Sequence, residues 1–154
     1  MRRLAPALLL SGFALATLPV AAQSTLVSVI RQPRATAAEF TTPIADFIVK
    51  SERDPAHLHV GVGAGVRHWD DGDNALRFIV DANMVAEEVF MGLAAIVEVP
   101  PGEGGFIGPR LRVGWAFHPS WAVSLEGEHL ERPFTDGLKV RRRSNLGLAL
   151  TFRF

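Results

Sequence analysis

The chain has 154 residues, a length typical of one domain, and its 16 basic residues equal its 16 acidic residues in number. This balance gives no support to nucleic-acid binding, which requires a strong basic excess. The chain has no cysteine, so disulfide bonds cannot stabilise it.

The amino-terminal segment, residues 1–22, has the pattern of a secretory signal peptide. Two arginines precede a short apolar stretch, and small residues lead to a predicted cleavage site after Ala22. The alternative is an uncleaved anchor helix. Cleavage would leave residues 23–154, with 14 basic and 16 acidic residues. An exported protein of this size without disulfides must be stabilised in another way, and a closed β-barrel in a lipid bilayer is one.

From Leu58 to the end of the chain, apolar residues alternate with polar or small ones, which indicates β-strands with one buried face. This pattern predicts six strands, separated by stretches rich in glycine, proline and aspartate, over residues 58–69, 75–84, 88–99, 106–117, 121–131 and 145–154. The third of these is apolar on both faces, and a short buried helix is the alternative there.

Residues 23–57 have a weaker pattern. Residues 25–31 and 43–51 are candidates for two more strands, whereas "ATAAEF" at 35–40 is a candidate helix start. With both strands the count reaches eight, the smallest number in single-chain bacterial barrels. The predicted fold is therefore all-β: one domain over residues 23–154, forming a closed, antiparallel, up-and-down transmembrane β-barrel of eight strands.

A soluble β-sandwich or lipocalin-like barrel would also alternate. Charges on the less apolar face favour the membrane barrel instead. Arg110 and Arg112 lie on one predicted strand, Glu126 and Glu128 on the next, and Arg153 on the last. Such residues can fill a narrow barrel with a network of ion pairs, so we predict that these five form an interior ion network.

Aromatic residues and connection lengths also favour a membrane barrel. Trp69, Trp115, Phe117 and Trp121 lie near strand ends, where barrels place aromatic residues at the membrane interfaces. The connection "HPS" at 118–120 is short, while those before and after it are longer, as expected if periplasmic turns are short and outer loops long.

The last part of the chain resembles a known family. "VGWAFHPSWAVSLEGEHL" (113–130), with its Gly-Trp-x-Phe-x-Pro-x-Trp hairpin, precedes the final strand "NLGLALTFRF" (145–154), which ends in phenylalanine. This arrangement is similar to the end of small outer-membrane β-barrel proteins of the OmpA-like and opacity-protein-like group.

The resemblance implies that Phe152 and Phe154 form the signal read by the outer-membrane assembly machinery. It also implies periplasmic chaperones and outer-membrane lipid as partners. Lipopolysaccharide is a further expected partner, and we expect a monomer without cofactors. The expected location is the bacterial outer membrane. The expected role is structural or interactive rather than enzymatic: envelope integrity, or surface contacts through the outer loops.

Two alternative functions remain. Lipid A deacylase barrels use a His-x-Ser pair with a distant glutamate, and this chain has His118 and Ser120 followed by Glu126, Glu128 and Glu131. However, Pro119 favours a turn, and Trp121 replaces the asparagine that usually follows the serine in that family. The other alternative is a soluble periplasmic β-protein that binds a small apolar ligand.

Three further groups of residues are weaker candidates for sites. His57 and His59 share a strand face, but a metal site needs three or four ligands, so no metal site is predicted. Asp70, Asp71 and Asp73 lack the distant glutamate of a calcium loop and are expected in a solvated loop. "KVRRR" at 139–143 either contacts lipopolysaccharide phosphates or contributes Arg141 and Arg143 to the interior ion pairs.

Overall fold

The alternating segments form a single antiparallel sheet. The computed structural model describes residues 15–17, 25–50, 55–102, 104–133 and 142–153. The strands are β1 (Leu15–Thr17), β2 (Leu26–Gln32), β3 (Ala35–Lys50), β4 (Pro55–Trp69), β5 (Asn74–Ala86), β6 (Val89–Val99), β7 (Phe106–His118), β8 (Trp121–Glu131) and β9 (Arg142–Arg153). The described residues include no helix that is long and apolar enough to cross a bilayer.

Strands β2 to β9 close into an eight-stranded barrel. Each of them pairs antiparallel with its neighbour in the chain, and β2 pairs with β9 from Leu26 opposite Arg153 to Arg31 opposite Leu148. Closure matters because it gives every strand a hydrogen-bonded partner on both sides and leaves no open edge. The predicted closed, up-and-down barrel of eight strands is therefore confirmed.

The short strand β1 is a ninth element outside this ring. It pairs with β3, with Leu15 opposite Val49 and Thr17 opposite Phe47, beyond the end of the β2–β3 pairing. These three residues lie inside the predicted signal peptide, whose other residues, 1–14 and 18–22, lie outside the described residues.

The two ends of the barrel differ in their connections. At one end, here called the terminal mouth, β2 begins and β9 ends, and the connections are residues 51–54, 87–88 and 119–120. At the other end, the loop mouth, the connections are residues 33–34, 70–73, 100–105 and 132–141. The longest connections therefore lie at the end opposite the start of β2 and the end of β9.

The structure resolves the two ambiguous parts of the sequence. The candidate helix start at 35–40 is wrong, because these residues are the first part of β3, which continues through residues 43–50 as one strand. Residues 89–99 are also a strand and not a helix. In both segments, pairing on two sides outweighs a weak local preference for helix.

Glycines on the inward face of β4 allow β3 and β4 to pack closely. A Cβ atom on Gly65 would lie 2.8 Å from Cγ of Glu39, and one on Gly63 would lie 2.8 Å from Cγ2 of Thr41. By contrast, the nearest atom to a Cβ on Gly127 would be Cδ1 of Leu146, at 3.8 Å. Small residues on β4 thus leave space for the inward side chains of Glu39 and Thr41 on the neighbouring strand β3.

We predict that Gly65→Ala lowers the free energy of unfolding by about 1–3 kcal/mol through overpacking. The matched control is Gly127→Ala, which should change it by less than about 0.5 kcal/mol. Urea unfolding of the refolded protein, followed by tryptophan fluorescence, measures both. Equal effects of the two substitutions would show that the inward face of β4 is not closely packed.

Candidate functional site

The barrel has its apolar side chains on the outside. Large hydrophobic side chains that are 38% exposed or more occur on every strand of the ring. They include Leu76, Phe78 and Val80 on β5; Met91, Leu93 and Val97 on β6; Leu111, Val113 and Trp115 on β7; Val123 and Leu125 on β8; and Leu146, Leu148 and Leu150 on β9. A surface of this kind exceeds the isolated apolar residues that soluble proteins expose and is typical of an interaction with protein or membrane.

The inside of the barrel is largely polar and charged, together with an apolar cluster of Ile79, Ala94, Ile96, Phe106 and Leu130. Four arginines and four glutamates are at least 95% buried there: Arg67, Arg77, Arg110, Arg112, Glu39, Glu98, Glu126 and Glu128. Their formal charges cancel. We call these eight residues the interior network. Buried charges are tolerated only when they are paired and hydrogen-bonded, so the pairing within this group determines the stability of the interior.

Two ion pairs of the interior network cross the barrel. Arg110 on β7 lies 2.5 Å from Glu39 on β3, and Arg67 on β4 contacts Glu128 on β8. Each pair joins strands that are four positions apart around the eight-strand ring, which is the maximum separation. The charged groups therefore meet at the barrel axis and fill the lumen at this level.

Shorter links connect these two crossing pairs into one network. Arg77 lies 2.8 Å from Glu39 and 2.6 Å from Glu128, so it bridges both. Arg67 also contacts Glu98 at 2.5 Å, and Glu126 lies 3.3 Å from Arg110 and 3.6 Å from Arg112. The pairs therefore share their arginines and glutamates, and removing one member disturbs several others.

Of the five residues predicted for the interior network, the structure brings four together. Arg110, Arg112, Glu126 and Glu128 are buried in it. Arg153 is a correction: it has the inward alternation of β9, but it is the last residue of that strand and its side chain is exposed at the terminal mouth. Its position at the strand end, which alternation does not reveal, explains the difference.

The other four members, Arg67, Arg77, Glu39 and Glu98, were not predicted from the sequence. Arg67 and Arg77 were on the less apolar faces of their predicted strands, so a signal for them existed. Glu98 lay in a segment with no clear polar face, and Glu39 lay in the segment considered as a helix start. Once β3 is a strand, Glu39 faces inward opposite Gly65.

Between the interior network and the loop mouth, arginine side chains stack on aromatic rings. Arg143 contacts Glu98 at 3.2 Å, and its guanidinium lies 4.2 Å from the ring centre of Phe106 and 5.0 Å from that of Trp69. Trp69 is thus a correction to the predicted interface aromatics. It shares the inward face of Arg67, two residues earlier, and packs on arginines instead of facing outward.

The other predicted interface aromatics face outward near the terminal mouth. Trp115, Phe117 and Trp121 are 39–50% exposed. Trp115 packs on Phe117 with ring centres 6.1 Å apart, and Trp121 packs on Phe152 at 4.6 Å. Trp115 also donates a hydrogen bond from Nε1 to Glu88 in the adjacent turn. Phe154, the predicted assembly residue, lies outside the described residues.

The residues of the hydrolase alternative lie in different environments. Residues 119–120 form a tight turn, in which the backbone N–H of Ser120 donates to Nδ1 of His118 at 3.2 Å. Glu126 and Glu128 are bound to arginines of the interior network. Glu131 pairs with Arg142 at 3.0 Å near the opposite mouth. The geometry thus gives no support to a Ser-His-Glu arrangement, which needs these groups within hydrogen-bond reach of one another.

The remaining candidates are placed as follows. Asp70 pairs with Arg31 in an exposed loop, as expected for a solvated connection. In the 139–143 segment, Arg143 joins the ion pairs inside the loop mouth, and residues 139–141 lie outside the described residues. His57 and His59 lie just inside the terminal mouth, next to Asp46 on β3.

Comparisons of this chain with family models, curated proteins and solved structures gave no match.

We predict that Glu128→Gln lowers the free energy of unfolding by about 3–5 kcal/mol, because Arg67 and Arg77 would lose their shared buried counter-charge. Glu131→Gln is the matched control, since the pair of Glu131 with Arg142 is solvent-exposed and should contribute at most about 1 kcal/mol. Urea titrations of both variants measure the difference. Similar small losses for both would contradict a tightly paired interior.

Proposed function

We propose that this chain is an outer-membrane β-barrel protein that spans the bilayer with its eight strands and acts as a structural or interaction protein. The observation that supports this most strongly is the inverted distribution of side chains, with an apolar outside around a charged inside. A barrel in water would bury the apolar face, whereas a barrel in lipid exposes it to hydrocarbon.

The dimensions of the apolar surface agree with this proposal. On β7 the outward side chains run from Ile107 to Phe117, ten residue steps. Ten steps extend about 34 Å along a strand, or about 26 Å along the barrel axis at a tilt of ~40°. The apolar band of outer-membrane barrels is about 25 Å tall. The aromatic residues at the terminal mouth would then lie at the periplasmic interface.

A structural role follows from the closed lumen. The crossing pairs Arg110–Glu39 and Arg67–Glu128 occupy the axis, so we expect no continuous aqueous channel. The longer connections, including residues 100–105 and 132–141, would lie on the outer side and carry the surface contacts. Lipid, lipopolysaccharide, the assembly machinery and periplasmic chaperones are the proposed partners of this monomeric, non-enzymatic barrel.

Two rival functions predict other arrangements. A soluble carrier of a small apolar ligand needs an apolar interior, and here the interior residues include eight charged side chains. A lipid A deacylase needs a serine activated by histidine and an acid, and the acids considered are bound to arginines.

The proposal is tested by producing the chain in a Gram-negative host and separating its membranes. We expect the protein in the outer-membrane fraction, soluble only in detergent, with unheated samples migrating faster than boiled samples on SDS gels. In planar bilayers the purified protein should give no stepwise conductance. Recovery of folded protein from the soluble periplasmic fraction would overturn the proposal.

A charge on the lipid-facing surface should oppose insertion. We predict that Leu148→Arg lowers the stability of the folded barrel in lipid vesicles by about 2–4 kcal/mol, because Leu148 is 61% exposed in the middle of the apolar surface. The matched control is His68→Arg, at the exposed loop-mouth end of β4, which should cost about 0–1 kcal/mol. Equal tolerance of arginine at both sites would exclude a lipid-facing β9.

Export gives a separate prediction. The membrane-inserted protein should begin at Gln23, because residues 1–22 have the pattern of a cleaved signal peptide. The intact mass of the purified protein shows whether residues 1–22 have been removed. A mass that includes residues 1–22 would favour the uncleaved anchor instead.

A further inference from the structure

A β-bulge on β3 creates a second cluster of polar side chains, distant from the interior network. The register between β3 and β4 shifts between Pro43 and Ala45. Before the shift, residues such as Glu39 and Thr41 face inward, and after it Asp46 does. A bulge changes which face of the sheet a side chain occupies, and bulges are frequent next to functional sites. The bulge thus directs the Asp46 carboxylate into the barrel.

On the adjacent strand, two histidines face this carboxylate. His59 lies directly opposite Asp46, and His57 is two residues earlier on the same face of β4. Oδ1 of Asp46 lies 3.3 Å from Nδ1 of His59 and 3.7 Å from Nδ1 of His57. The two imidazole rings are nearly parallel, with an angle of 11° and centres 5.9 Å apart. Three ligating atoms thus lie within 4.8 Å of one another.

These separations suit a transition-metal ion. In a tetrahedral site with bonds of ~2.0–2.1 Å, neighbouring ligand atoms are ~3.3–3.4 Å apart. The Asp46–His59 distance has this value, and the Asp46–His57 distance is a few tenths of an ångström longer. Two imidazoles and one carboxylate form a donor set that zinc and similar divalent ions accept.

A second observation points to a ligand in the same place. A cavity of about 120 Å³ next to the cluster has Asp46, His59, Asp81, Asn83 and Arg153 among its lining residues. Asp81 is 4% exposed and Asn83 is 8% exposed. Among the described residues, Oδ2 of Asp81 and Oδ1 of Asn83 have no hydrogen-bond partner. Buried acceptors of this kind require a partner, and an ion with bound water supplies one.

The geometry points to a divalent transition-metal site, of the zinc type, that is held by Asp46, His57 and His59 just inside the terminal mouth. Asp81 and Asn83 accept hydrogen bonds from water on the ion. The two carboxylates match the ion's charge. The exposed Arg153 can turn away from it into solvent. The site depends on the barrel's own registers and holds whether or not the barrel lies in a membrane.

The alternative is that the two histidines only form ion pairs with Asp46 when protonated. The two possibilities differ in how tightly the cluster binds Zn²⁺. A cluster without a metal function would bind Zn²⁺ no better than isolated surface histidines, whereas a built site binds one ion and binds it more weakly when any single ligand is removed.

The test uses the untagged, detergent-folded barrel, because a polyhistidine tag would bind metal itself. Isothermal titration calorimetry with Zn²⁺ should give one site per chain. His57→Gln, His59→Gln and Asp46→Asn should each weaken binding about tenfold or more. Even the loss of a residue that only hydrogen-bonds a metal ligand weakens binding about 10–100-fold. The matched control is His68→Gln, an exposed histidine on the same strand at the opposite mouth, which should leave binding unchanged.

A second readout identifies the ligands independently of affinity. With Cu²⁺ as probe, the electron paramagnetic resonance spectrum should show coupling to two nitrogen atoms, and to one in His57→Gln. The heat-dependent gel shift of each variant verifies that the barrel still forms. Absence of a one-to-one Zn²⁺ site in folded protein, or binding that survives Asp46→Asn and His59→Gln, would overturn the assignment.

Discussion

The pairing of four arginines with four glutamates inside a narrow barrel is the constraint on which the rest of this structure depends. Charged groups removed from water are stable only where each has a counter-charge and hydrogen bonds, and removing one partner leaves a strongly unfavourable buried charge. Here Arg77 contacts both Glu39 and Glu128, so the strands that carry them, β3, β5 and β8, must keep their relative positions. Because a register shift of one residue would direct these side chains outward, the network specifies the registers of the barrel.

The network also has consequences for the small residues and the outer surface. The network needs small residues beside it. The side chain of Glu39 on β3 lies over Gly65 on the neighbouring strand β4, and a Cβ atom at that position would meet it. Because polar residues outnumber apolar ones among the buried positions of the described residues, most of the large apolar side chains face outward. An apolar outer surface is favourable in hydrocarbon and unfavourable in water. The polar interior is therefore consistent with the proposed membrane location.

Much of the fold could be predicted because period-two alternation is a strong signal in strands with two different faces. The six strands after residue 57 follow from it, and so does the inward face that carries Arg110, Arg112, Glu126 and Glu128. The alternation of β4 also contained the inward position of Trp69, since Arg67 is two residues before it. Trp69 was predicted at the membrane interface because it is near a strand end. Its position in the alternation, on the same face as Arg67, predicts its orientation correctly.

The parts of the fold and of the sites that were not predicted depend on pairing between strands, which no local sequence pattern reveals. Glu39 belongs to a segment whose alanines favour helix locally, and only its position between β2 and β4 makes it a strand. The bulge after Pro43 inverts the alternation within β3, so the sequence alone could not place Asp46 beside His57 and His59. No metal site was predicted because only His57 and His59 are close in sequence. The third proposed ligand, Asp46, comes from β3 after the change of register.

The most direct test of the inverted barrel is a spin-label scan of β9 in lipid vesicles. The chain has no cysteine, so single cysteines can be introduced at each position from Leu146 to Thr151 without removing others. Accessibility of the label to oxygen, which partitions into lipid, should alternate with a period of two residues. Maxima are expected at Leu146, Leu148 and Leu150, with minima at Gly147, Ala149 and Thr151 between them. High accessibility of the outward positions to a water-soluble nickel complex, or accessibility to oxygen without alternation, would contradict a barrel that faces lipid with its apolar side.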